Sequence, residues 1–289
     1  MSRLYALVCV TAALLAGAAA AASRPEAPRQ EGPAAAGGAG AKRTASLGGV
    51  RLTYDTALAA EVTAALAPAS PLDSPTDKPD WFWPERVVFD LSAAYPASRP
   101  PHARPEIHVS SVEDFRRAAS VSKDVEAQVG RTTRDLARFL RRRSPAPAGA
   151  IPTVPFPDAH DAFRARLKYL RFRHGSGVAY LTQSQQDEGL VNNGQLTYEF
   201  RGLTDDGRHY VYASLPVAAP SLPPARDAAA HEGYSLPASF DGPGRAAKLR
   251  RYRNYVARVK RRLGGLRPDD FTPSLRLVDE MLSSLEVSK

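Results

Sequence analysis

The sequence predicts an α+β domain: a mostly antiparallel β-sheet, arranged as a meander and flanked by helices. Three observations lead there. Apolar and polar residues alternate through much of Leu167 to Leu215, the two-residue period of a strand. Turn sequences at His174–Gly177 and Thr204–Gly207 double the chain back on itself. Stretches before and after this region carry apolar residues every three or four positions, the period of a helix packed on one face.

Taken in order, Gly48-Gly49 leads into Val50, Leu52 and Tyr54, which alternate with Arg51 and Thr53 as a short strand. Asp55 then caps an expected helix with Leu58, Val62 and Leu66 on one side. Prolines 68, 71, 75 and 79 open a loop over residues 68–84 that closes on Trp81-Phe82-Trp83-Pro84. This aromatic cluster suits core at a loop-to-strand entry, or a platform on which a sugar stacks. Val87 to Leu91 and Ile107 to Val109 are the next strands.

Ser111-Val112-Glu113-Asp114 opens a long helix, with its acids in the first turn where the helix dipole favours them. Val121, Val125, Val129, Thr132, Leu136 and Leu140 continue it, and Arg141-Arg142-Arg143 closes it. Five prolines make residues 144–157 a loop. Beyond it, Leu167 and Tyr169 are out of phase with Leu170 and Phe172, which predicts a β-bulge at Tyr169-Leu170. The return strands follow: Val178 to Gln183, one containing Leu196, Tyr198 and Phe200, and Tyr210 to Leu215. In the last, Val211, Ala213 and Leu215 face one way and Tyr210 and Tyr212 the other, as an interior strand requires. A six-proline loop spans 216–243. Two helices finish the chain, one from Arg245 to Leu263 and one after Thr272-Pro273.

The N-terminus has the three parts of a cleavable signal peptide over residues 1–22. Arg3 is followed by an apolar run from Leu4 to Leu15, and Ala16 to Ala22 offers small-residue cleavage sites. The run is shorter than the roughly 20 apolar residues of a membrane span. Residues 23–46 are expected to be a disordered Ala/Gly/Pro linker, and 47–289 a single α+β domain. The expected location is therefore outside the cytoplasm, secreted or in the periplasm and cell envelope.

Cys9 is the only cysteine and leaves with the signal peptide. That excludes disulfides, thiolate catalysis and cysteine-based zinc sites from the mature chain. The net charge of +9 becomes +8 when Arg3 is removed. In the expected compartment the partners for such a chain are an anionic envelope surface or an acidic protein, and nucleic acid is not expected.

No motif assigns a reaction. None of the six histidines stands four residues from another on a helix, so no HExxH zinc site is present. Asp158-Ala159-His160-Asp161 fits a helix cap better than a metal site, and Asp205-Asp206-Gly207 is a turn rather than a calcium loop. His174-Gly175-Ser176-Gly177 departs from the G-x-S-x-G nucleophile pattern. No cofactor or metal is expected. Two candidate surfaces remain. Gln183, Asn192 and Asn193, with Tyr180, Tyr198 and Tyr210, form a hydroxyl- and amide-rich segment suited to a neutral ligand. The helix from Arg245 to Arg262 holds nine cations and no acid, and Arg250, Arg251, Arg258 and Arg261 are candidates for an anionic surface.

The segments Tyr180-Leu181-Thr182-Gln183, Asn192-Asn193, Leu196 to Thr204, Asp206-Gly207 and Leu215-Pro216-Val217 resemble a family of uncharacterised bacterial exported proteins, many of them lipoproteins. The resemblance spans about 60 residues and the closing Phe271-Thr272-Pro273 pattern. This chain lacks the lipobox cysteine of the lipoprotein members. The meander with its closing helix is also similar to the PsbP/Mog1-like fold. Together these readings give an exported binding or interaction module, with an envelope hydrolase using His, Asp and Glu as the rival class.

Processing is directly measurable. Intact-mass analysis of the exported protein is expected to show loss of about 20 to 24 residues; a mature chain retaining Met1 or Cys9 would refute the assignment.

Overall fold

A two-residue turn forms the first hairpin. Gly48 and Gly49 both adopt positive φ (57° and 78°), the geometry of a tight β-hairpin. It joins β1 (Lys42–Leu47) to β2 (Val50–Asp55) in antiparallel register from Lys42↔Asp55 to Leu47↔Val50. The computed structural model describes residues 40–74, 76, 82–93, 95–97, 104–144, 149–156, 158–224 and 230–288. The expected signal peptide, the expected linker up to residue 39, Trp81 and His102 lie outside them. Strand β1 therefore lies in the segment expected as linker, before the expected boundary at Leu47. Most of β1 is exposed, so no apolar alternation marks it in the sequence.

The remaining elements are β3 (Thr63–Ala67), β4 (Arg86–Asp90), β5 (Glu106–Ser111), α1 (Val112–Ala118), α2 (Lys123–Arg142) and β6 (His160–Asp161). Then come β7 (Ala165–Phe172), β8 (Gly175–Thr182), β9 (Ser184–Gln185), β10 (Thr197–Thr204), β11 (His209–Pro216), α3 (Arg245–Gly265), α4 (Leu275–Ser283) and β12 (Glu286–Val287). Seven strands form one antiparallel sheet in the order β3-β4-β5-β11-β10-β8-β7. Strands β1, β2 and β12 form a second sheet, and β6 pairs with β9. The α+β class and the mostly antiparallel sheet flanked by helices are as the sequence predicts. Strand β11 lies inside the sheet, as its two-sided pattern requires.

Both faces of the large sheet are covered. Tyr198, Phe200, Val211, Ala213 and Leu215 join a core with β2, α3 and α4. Val178, Tyr180, Leu203 and Tyr210 join a second core with Phe115 of α1 and Val125, Val129, Leu136 and Leu140 of α2. The sheet is thus a shared wall between two apolar layers, each made by the alternation of the same strands.

Four local expectations are corrected. The segment after Asp55 makes a single turn, capped by Asp55 Oδ1 accepting from Ala57 N at 2.8 Å, and then becomes the edge strand β3. Leu66 is exposed there, and main-chain pairing with β4 overrides the helical spacing. The long helix is broken at residues 119–122 into α1 and α2, and Val121 faces solvent. The bulge lies between Ala165 and Lys168, around Arg166 with φ 53°, not at Tyr169-Leu170. The phase change at Tyr169 needs no bulge, because Tyr169 packs towards Phe139 of α2 while Leu170 and Phe172 serve the opposite core. Asp158–Asp161 caps no helix; His160–Asp161 is β6.

The glycines of His174–Gly177 also have another role than a turn. The reversal is made at Arg173-His174, with His174 at φ 63°, and Gly175 and Gly177 already lie in β8. A Cβ on Gly175 would collide with the Phe172 ring, and one on Gly177 with the Phe200 ring. These two rings pack edge to face at 6.3 Å and fill the space the glycines leave. Gly177→Ala is therefore expected to destabilise the fold by about 1–3 kcal/mol through overpacking, read as a lower urea midpoint. Gly264→Ala, where a Cβ meets nothing within 4 Å, is the control expected to leave the midpoint unchanged or raised.

Candidate functional site

The six residues expected to share a ligand site do not converge. Gln183 donates to Leu190 O at 3.2 Å and accepts from Asn192 N at 3.1 Å. Asn192 donates to Leu190 O and Gln195 Oε1. Asn193 donates to Ala219 O and Leu222 O and accepts from Ala219 N at 2.8 Å. These side chains tie the loop after β8 to the loop after β11. Tyr198 points into one core and donates to Asp279 Oδ1 at 2.8 Å, while Tyr180 and Tyr210 lie in the other. The sheet separates them. The amide-rich composition is explained by loop closure, since a buried loop must satisfy its own backbone.

A denser polar cluster occupies the α2 side of the sheet. Arg201 and Glu199 form a buried ion pair at 2.7 Å. Arg201 also donates to Thr153 Oγ1, Phe200 O and Ala213 O, and stacks over the Tyr212 ring at 4.2 Å. Ser214 Oγ donates to the other Glu199 oxygen at 2.6 Å. Burial opposes the Arg201 charge, yet Glu199 and the surrounding tyrosine oxygens hold the guanidinium well above its usual range. Burial likewise raises Asp161 despite Arg201 nearby. The ion pair and its hydrogen bonds anchor β10 to β11 and to the residue 151–156 segment.

His108 is the one histidine paired with a carboxylate among the described residues. Its Nε2 lies 3.2 Å from Glu106 Oε2, and the ring stacks on Trp83 at 5.1 Å. Nδ1 accepts from Arg86 Nε at 3.1 Å, so neither ring nitrogen is free to take a proton from a nucleophile. His231 is similarly engaged by Tyr255 OH and Ser221 O. Trp83 therefore belongs to an aromatic layer with Phe115, His108 and Tyr212. Among the described residues no group of three or more His, Cys, Asp or Glu is arranged to hold a metal.

Open space lies elsewhere. A cleft of about 1130 Å³ separates α1 from α2 beside the β10–β11 turn. Its floor includes Val112, Ala127, Ala137 and Leu203, and its rim Arg131, Arg134 and Arg208. Residues 119–122 separate the two helices whose side chains line it. None of these residues stood out in the sequence, although the buried glycine in the middle of α2, Gly130, was an available signal: glycine there costs about 1 kcal/mol relative to alanine.

The third feature is α3. Tyr252, Tyr255, Val256, Val259 and Leu263 are buried against the sheet, and Arg250, Arg251, Arg253, Lys260 and Arg261 are exposed. Arg258 differs from the expectation: it is half-buried, donates to Glu232 O and pairs with the Glu232 carboxylate at 3.9 Å. Arg262 pairs with the same carboxylate at 2.9 Å. No helix among the described residues is long and apolar enough to cross a membrane. No family model, curated protein or solved structure matches the chain.

The ion pair yields a sharp stability test. Glu199→Gln or Arg201→Met alone is expected to cost about 3–5 kcal/mol, because each leaves the other charge buried and unpaired. The double variant Glu199→Leu/Arg201→Met is expected to recover most of that loss in denaturant titration; a double-variant loss equal to the sum of the two single losses would mean that the pair is not coupled.

Proposed function

We propose that this chain is an exported cell-envelope module that binds an anionic surface through α3. The observation behind the reading is the distribution of charge on that helix. Its buried stripe is used within the fold, by the core and by the loop residues Tyr234 and Phe240, so the helix does not insert anything apolar into a partner. What it offers is an outward row of cations, with Arg250, Arg253 and Arg261 opposite the buried Tyr255, Val256 and Val259. Arg250, Arg251, Arg253, Lys260 and Arg261 make no ion pair among the described residues. Such a row, about 17 Å long at 1.5 Å per residue, is complementary to an anionic lipid surface.

The export signal at residues 1–22 and the resemblance to exported bacterial proteins support the compartment in which such a surface is met. The hydrolase reading is less well supported, because His108 and His231 have both ring nitrogens engaged in fixed hydrogen bonds.

Mature protein is expected to bind vesicles containing anionic lipid in a sedimentation assay, and to release as salt rises to where the screening length is about 8–10 Å. Each basic residue near such a surface contributes about 1 kcal/mol, so Arg250→Ala/Arg251→Ala/Arg261→Ala is expected to weaken binding on the order of a hundredfold. Binding that ignores both salt and these substitutions would overturn the reading.

A further inference from the structure

The cleft between α1 and α2 has a charge pattern that the fold does not neutralise. On its α1 side Arg116 is held by Glu113 at 3.4 Å and by Glu126 at 3.2 Å, and Glu126 also pairs with Lys123. On its α2 side Arg131 and Arg134, one helical turn apart, make no ion pair among the described residues. Arg208 reaches the rim from the β10–β11 turn, its contact to Asp206 a loose 3.7 Å. Five cations thus meet three carboxylates, Glu113, Glu126 and Asp206, around one opening.

Gly130 fixes how these cations meet. It is buried in the middle of α2, where alanine would favour the helix. The point its Cβ would occupy lies 3.4 Å from Arg134 Nη1 and 3.9 Å from Arg116 Nε. Two guanidinium groups from different helices therefore converge over bare backbone. Like charges brought together repel unless an anion lies between them, and guanidinium forks match the oxygens of a phosphate group in geometry as well as charge. The cleft is larger than one phosphate, and Val112, Ala127, Ala137 and Leu203 give it an apolar floor.

We propose that this cleft is a binding site for a phosphate ester, with its phosphate held by Arg131, Arg134 and Arg116 over Gly130 and its uncharged body on the apolar floor. The site is separate from α3, which packs on the other face of the sheet, so the two readings stand or fall independently.

Isothermal titration of the mature protein with phenyl phosphate, inorganic phosphate and phenol tests the chemistry. Phenyl phosphate is expected to bind more tightly than inorganic phosphate, and phenol not at all. Arg131→Ala/Arg134→Ala, both exposed, is expected to weaken phenyl phosphate at least tenfold without moving Tm, whereas Arg250→Ala/Arg261→Ala leaves it unchanged. Gly130→Ala is expected to raise Tm by about 2–4 °C while weakening binding, which separates a ligand role from a packing role. Monomeric short-chain phosphatidylglycerol, below its micelle concentration, forms a second arm: binding that is lost in Arg131→Ala/Arg134→Ala identifies a lipid headgroup as the source of the phosphate, and phenyl phosphate binding without it identifies a free phosphate ester. Absence of binding by every phosphate-bearing probe, or binding that survives Arg131→Ala/Arg134→Ala, would overturn the proposal.

Discussion

Every residue of β10 is buried, and the rest of the molecule follows from that constraint. A strand in the middle of a sheet has its backbone satisfied by neighbours on both edges, here β8 and β11, but its two side-chain rows must each find a separate cover. Tyr198 and Phe200 go to the layer of α3 and α4, and Leu203 to the layer of α1 and α2. One helical layer alone would leave a row of β10 in water. The chain therefore supplies one layer before the meander and one after it.

The same constraint accounts for the buried ion pair. Glu199 and Arg201 lie on the α2 side of a strand that cannot shift by one residue without moving Tyr198 and Phe200 out of their own core. A charge placed there has to be matched in place, and Ser214, Thr153, Tyr212 and two carbonyl oxygens complete the match. A buried pair of this kind contributes little net stability over an apolar pair, but it strongly disfavours any other register, in which both charges would lose their partners. The glycine–phenylalanine packing on the opposite side of the same strands acts in the same direction through shape.

Much of this was legible because strand periodicity is local. The two phases of Tyr210 to Leu215 are visible within six residues and place β11 in the sheet interior. What failed was whatever depended on distant partners. The segment around Leu58, Val62 and Leu66 has helical spacing, yet β4 pairs with it and makes it a strand. Gln183, Asn192 and Asn193 have the composition of a polar site, and nothing in their own segment reveals that the carbonyls of Ala219 and Leu222 wait to receive the Asn193 amide. The cleft was hidden for the same reason. Its lining spans both sides of a four-residue interruption in an otherwise periodic helix, together with Arg208, 86 residues beyond Ser122.

Placing the two unneutralised cationic surfaces on opposite sides of the sheet has a physical consequence. Positive potential concentrated on one side would orient the molecule by a single field, and a ligand for one surface would compete with a ligand for the other. Here α3 belongs to the layer containing Tyr198 and Phe200, whereas Arg131 and Arg134 belong to the layer containing Tyr180 and Leu203. A seven-stranded sheet stands between them, and sheet-to-layer packing distances of about 10 Å on each side exceed the screening length at physiological ionic strength. The two surfaces are therefore electrostatically independent. An anionic surface held against α3 leaves the α1–α2 cleft facing outward and open to a diffusing ligand, and neither event requires the sheet that joins them to move.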